Sequence, residues 1–130
     1  VTTSDHCALG KTGEDLACAE LRRRGYAILA RRFRTRDGEI DIVARDDGVL
    51  VFVEVKTRRS LRFGLPRSSV TPRKQHRIAR MAAAYLARHH PRARSCRFDV
   101  VEITLGDDGA PRVEILRSAF DGSRAGFGRR

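Results

Sequence analysis

The segment GEIDIVARDDGVLVFVEVKTR, residues 38–58, constrains the fold more than any other part of the chain. Two apolar runs flank Asp47-Gly48, a dipeptide suited to the two left-handed positions of a tight β-hairpin turn. Once those two residues form the turn, the register follows. Ile40 falls opposite Val55, Ile42 opposite Val53 and Ala44 opposite Val51, which makes one continuous apolar face. On the other face Val43 and Phe52 are followed by Asp41 opposite Glu54, and then by Glu39 opposite Lys56. A slip of one residue would drive the acids into the core, so the pattern supports this pairing.

Two carboxylates directly opposed on a sheet repel, at a cost of about 0.2–1 kcal/mol, unless a proton or a cation sits between them. Hard oxygen ligands this close suit Mg²⁺ or Mn²⁺, and Lys56 adds a positive charge beside them. The ordinary alternative is a charged outer face on which Lys56 neutralises its neighbours. Two distant residues bear on the choice. Glu14 precedes Ala17, Cys18 and Leu21 at helical spacing, so it extends an apolar stripe, although it also suits the dipole of a helix start. Gln75 stands in the same relation to Ile78, Ala79 and Ala82, where it could equally be a polar end to a core stripe.

Around the hairpin, helical and strand patterns alternate. Thr12 reads as an N-cap for a helix from about Gly13 to Arg24, closed by Gly25. YAILARRFR reads as a strand. Thr71 and Pro72 open a second helix that ends before Pro91, with Ile78, Ala79, Ala82, Tyr85 and Leu86 as its buried stripe. RFDVVEITL and RVEILRS read as antiparallel strands joined by the turn GDDGAP. The expected organisation is a flexible lead over residues 1–10, one domain over 11–117, and a basic Gly- and Arg-rich tail over 118–130.

Net charge of +11 favours a polyanionic partner, with DNA ahead of RNA, although a solvated arginine-rich surface would give the same total. Arg58, Arg59, Arg62 and Arg67 in and before the loop, with Arg73 and Arg77 on the second helix, are the candidate phosphate contacts. Three cysteines without CxxC spacing support neither a disulfide framework nor a zinc ribbon, and they suit a reducing cytoplasm. No apolar run is long enough to span a membrane, so no membrane partner is expected. A second copy of the chain remains a candidate partner.

The set GEID and FVEVKTR resembles the PD-(D/E)XK nuclease superfamily, and the ordered blocks GKTGEDLACAEL, VTPRKQHRIARMAAAYL, RFDVVEI and ILRSAF resemble the bacterial YraN family, which is similar to archaeal Holliday-junction resolvases. The resemblance implies an α/β, restriction-endonuclease-like (resolvase-like) domain, a mixed β-sheet flanked by helices. It further implies Mg or Mn held by Asp41, Glu54 and the backbone carbonyl of Val55, with Lys56 orienting or activating water. Glu14 matches the helix glutamate that assists the metal, and Gln75 a position that supports the lysine or the phosphate. The aspartate here follows Ile40 instead of proline. The implied activity is endonucleolytic cleavage of structured DNA; the alternative is a nucleic-acid-binding module or adaptor that kept the fold without catalysis.

Overall fold

Asp47 and Gly48 take φ values of 51° and 79°, the pair of left-handed conformations that closes a two-residue hairpin. They join strand β2 (Gly38–Asp46) to strand β3 (Val49–Arg58) in the expected register, with Ile42 opposite Val53 and Ala44 opposite Val51. In this computed structural model the described residues are 5–58, 71–93, 95–106 and 108–119, with side chains described from residue 13. The remaining elements are helix α1 (Asp5–Arg23), strand β1 (Ala27–Thr35), helix α2 (Pro72–His89), strand β4 (Ser95–Leu105) and strand β5 (Pro111–Leu116).

The five strands form one mixed sheet in the order β1-β2-β3-β4-β5. Only β3 and β4 are parallel; every other pair is antiparallel. A parallel pair needs a crossover to bring the chain back to the same edge, and α2 lies in that connection. The result is the expected resolvase-like α/β arrangement, a mixed sheet with one helix on each face. No helix among the described residues is long and apolar enough to cross a membrane.

Each face has its own core. Ala17, Cys18 and Leu21 of α1 pack with Tyr26, Ile42, Ala44, Val51, Val53, Val101 and Ile103. Ile78, Met81, Ala82 and Tyr85 of α2 pack with Phe33, Val43, Leu50, Phe52 and Phe98 on the other side. The odd-numbered apolar residues of β3 thus serve α1 and the even-numbered ones serve α2, as a period of two requires. Aromatic edges meet in the second core, with the Phe33 and Tyr85 rings 5.1 Å apart and nearly perpendicular.

Three local expectations need correction. α1 begins at Asp5, not near Gly13, so Thr12 lies inside the helix instead of capping it. Gly13 is there for approach: a Cβ would stand 2.6 Å from Thr57 Oγ1 on β3. The spacing rule read that glycine as a helix start when it is a packing contact. In α2 the N-cap is as expected, since Thr71 accepts a hydrogen bond from the Lys74 N–H at 3.2 Å, but Met81 completes the buried stripe and Leu86 only packs against its edge. The third correction concerns Ile40, which belongs to the α2 core and not to the face of Ile42 and Ala44. Arg32, next to its partner Phe33 on β1, has φ of 55°, and the ladder between β2 and β3 stops at Ile42 and Val53, so the regular alternation of β2 breaks around Asp41.

From the middle of β4 toward the β2–β3 turn, a polar network ties the last described residues to β4. Asp99, 1% exposed, accepts hydrogen bonds from Tyr26 Oη at 2.9 Å, Arg97 Nε at 2.9 Å and the Ser118 N–H at 3.0 Å. Arg97 also reaches Asp46 at 2.9 Å, which Arg117 holds at 3.0 Å. Removing this carboxylate takes the acceptor from the buried Tyr26 hydroxyl and leaves the half-buried Arg97 with Asp46 as its remaining carboxylate. Asp99→Ala is expected to lose about 3–5 kcal/mol of stability, read as a lower urea midpoint with little change in slope. A variant within about 0.5 kcal/mol of the parent would show that the network contributes little.

Candidate functional site

Asp41 and Glu54 converge where the β2–β3 ladder ends. Continuing the register would put them directly opposite each other, but the Val55 N–H donates instead to Asp41 Oδ2, at 2.8 Å. The side chain thereby takes the next rung of the sheet. Both carboxylates line a cleft of about 360 Å³ between the end of β2 and helix α2, with Asp37, Glu39, Lys74, Arg77, Ile78 and Met81 around them.

The charges in this cleft are unevenly matched. Asp37 is paired with Arg80 at 2.6 Å and Glu39 with Arg34 at 2.9 Å. Glu54 is paired with Lys74, from the first turn of α2. Among the described residues no cation pairs with Asp41. Burial pushes its carboxyl up to about 6, against the opposing effect of the Val55 N–H, and the negative charges of Glu54, Glu14 and Glu39 add to the rise.

Glu14 comes from α1, packed on the other face of the sheet, yet its charge is felt at Asp41. It is itself held by Arg31 and Arg32, each at 3.2 Å. The spacing argument therefore located it correctly at the inner side of α1, while its arginine partners on β1 were not foreseen. Gln75 is half-buried in the first turn of α2, but the α2 wall of the cleft is formed by Lys74, Arg77, Ile78 and Met81. Lys56 is half-buried on β3 and stands beside the buried Glu102 in the parallel ladder, outside the residues that line the cleft. Of the candidate phosphate contacts, Arg77 lines the cleft, Arg73 is exposed on the same helix and Arg58 is exposed at the end of β3. Arg59, Arg62 and Arg67 lie outside the described residues.

Lys74 is the site residue that sequence reasoning missed. The signal was available, because it precedes Ile78 by four and Met81 by seven positions and so shares the inward stripe of α2. A lysine in a run of basic residues simply reads as solvated surface. As for a metal, the oxygen donors of Asp41 and Glu54 are the kind that Mg²⁺ or Mn²⁺ takes. Among the described residues no group of three or more His, Cys, Asp or Glu side chains is gathered closely enough to hold an ion, so the side-chain donors are a pair, not a cage.

A mixed sheet flanked by helices, with two acids at the mouth of its central hairpin, defines a resolvase-like domain. The chain belongs to the uncharacterised protein family UPF0102, the YraN family, whose profile matches residues 13–103. It is 52% identical over 112 residues to a UPF0102 protein of Symbiobacterium thermophilum, covering 86% of this chain and 95% of that one. A UPF0102 protein of Geobacter sulfurreducens is 51% identical over 113 residues, covering 87% and 88%.

The position of Asp41 makes a prediction about stability and pH. An acid whose folded pKa is raised from 3.8 to about 6 favours folding in its protonated form, so its ionisation removes stability as pH rises from about 4 through 6. The loss amounts to at most about 3 kcal/mol. Asp41→Asn, which cannot ionise and keeps an acceptor for the Val55 N–H, should be about 1–3 kcal/mol more stable than the parent at pH 8, with the gap closing by pH 4. Urea midpoints across that range check it; a variant weaker than the parent at pH 8 would mean that the charge is a needed structural partner.

Proposed function

We propose that this protein is a divalent-cation-dependent nuclease that hydrolyses DNA phosphodiester bonds, with structured or branched DNA as its substrate. The observation that carries this reading is the pair Asp41 and Glu54, two acids converging on one polar cleft, the first of them half-buried and costly to ionise. Natural sheets rarely keep such a pair without a use for it. Asp41, Glu54 and the backbone carbonyl of Val55 would hold Mg²⁺ or Mn²⁺, which when bound polarises a phosphate oxygen and makes a water more acidic. Lys56, two residues beyond Glu54, would complement the negative charge that develops on the phosphate. Glu14 strengthens the negative field at Asp41 from the far side of the sheet. Gln75 would support the lysine or the phosphate, while Arg73 and Arg77 hold the backbone beside the cleft.

Binding of nucleic acid without cleavage is the second reading. It is favoured by two features: Glu54 is already matched by Lys74, and Lys56 stands outside the cleft lining.

The deciding experiment is a panel of labelled linear, flapped and four-way DNA with Mg²⁺ or Mn²⁺. The parent should cut at least one of them. Asp41→Asn, Glu54→Gln and Lys56→Ala should each lower the rate by at least about a hundredfold, with binding best retained in Lys56→Ala. A parent that cuts nothing leaves the binding module. Under either reading affinity should fall steeply with salt, and Arg73→Ala with Arg77→Ala should flatten the plot of log affinity against log salt by roughly one to two units. An unchanged slope would move the nucleic-acid footprint to another face.

A further inference from the structure

Lys74 has no part in the mechanism above, although it touches one of the two carboxylates on which that mechanism depends. Its ammonium is paired with Glu54, and side-chain exposure is 32% for the lysine and 18% for the acid. The geometry points to Lys74 as a resident cation: it neutralises Glu54 in the free protein, yields that carboxylate to an entering divalent cation, and then takes a phosphate oxygen of the bound nucleic acid.

Three features support the exchange. The first is competition for one group, because an ammonium and a divalent cation would neutralise the same carboxylate, and no other cation is paired with it among the described residues. The second is where a displaced lysine can go. Asp37 and Glu39 border the same cleft but already have Arg80 and Arg34, so the cleft offers the released ammonium no other unpaired carboxylate once Asp41 and Glu54 share an ion. A phosphate is the anion that remains. The third is its setting: the first turn of α2 contains no acid, Thr71 caps it, and Arg77 lies one turn further along the same cleft wall. A freed Lys74 therefore joins Arg77 on the side from which a backbone would approach, and its long stem lets the head swing without moving the helix. Cation entry and phosphate capture become coupled through one side chain.

The proposal rests on the divalent-cation reading of Asp41 and Glu54, and its tests separate the two. Lys74→Met keeps the apolar stem and removes the competing charge, so Mn²⁺ should bind it roughly threefold to tenfold more tightly than the parent by titration calorimetry without DNA. Equal or weaker binding by a folded variant overturns the exchange. If the variant does not fold, the parent decides: acylation of Lys74 by an acetylating ester, followed by mass spectrometry, should speed up with Mn²⁺, and an unchanged rate overturns the proposal. For the phosphate contact, four-way DNA is titrated with Ca²⁺, a weaker Lewis acid that limits cleavage. Lys74→Met should lose about one unit of salt slope with Ca²⁺ and none without it. An equal loss in both conditions means that Lys74 never leaves the phosphate side, and the exchange is wrong. Should neither protein bind Mn²⁺, the exchange and the cation reading fall together. Tighter Mn²⁺ binding by the variant with no DNA cut by the parent keeps the exchange and rejects the nuclease.

Discussion

The 2.8 Å hydrogen bond from the Val55 N–H to the Asp41 carboxylate is the contact on which the site depends. An antiparallel hairpin normally spends that donor on a backbone carbonyl of its partner strand. Here a side chain takes the rung, the ladder ends at Ile42 and Val53, and the strands part just where both acids stand. Several features follow from that single substitution of acceptor. Ile40 is released from the α1 face and joins Phe33 and Ile78 in the other core. Asp41 is anchored low in the cleft, where burial raises its carboxyl to about 6. Glu54 is left to find its own partner, and α2 supplies one.

The sheet manages charge in two different ways. Around Asp99 every buried polar group has a partner: Tyr26, Arg97 and the Ser118 N–H meet one carboxylate, and Asp46 bridges Arg97 to Arg117. A closed network of that kind is rigid and has no capacity left for a ligand. Asp41, by contrast, is half-buried beside other acids without a cation of its own among the described residues. The contrast is between a carboxylate matched on every side and one whose neighbours are acids. Among the residues that line the cleft, the basic ones, Lys74 and Arg77, come from α2.

Family membership fits this division. Close relatives in Symbiobacterium and Geobacter cover nearly the same span, so the whole domain, with both ends of its sheet, belongs to the pattern that they share. The proposed cleavage of DNA rests on the acid pair and on its chemistry, not on family membership.

How much of this was legible beforehand follows from the range of the forces involved. Turn chemistry and a period of two are local, so Asp47-Gly48 determined the hairpin register, and with it the approach of Asp41 to Glu54, without any knowledge of the rest of the chain. The second helix was equally plain from Thr71, Pro72 and the spacing of its apolar residues. Gly13 misled because a glycine serving close approach to Thr57 looks, along one dimension, like a glycine that bounds a helix. Ile40 misled because the alternation rule assumes an unbroken ladder, and what broke it was a side chain competing for a backbone donor. Only the tertiary structure could match Glu54 with Lys74, Glu14 with Arg31 and Arg32, and Asp99 with Tyr26, because these pairs lie 17 to 73 residues apart in sequence. Charge pairing over such distances is decided by which side chains the packed sheet and helices bring within a few ångströms of one another, and no local periodicity encodes that.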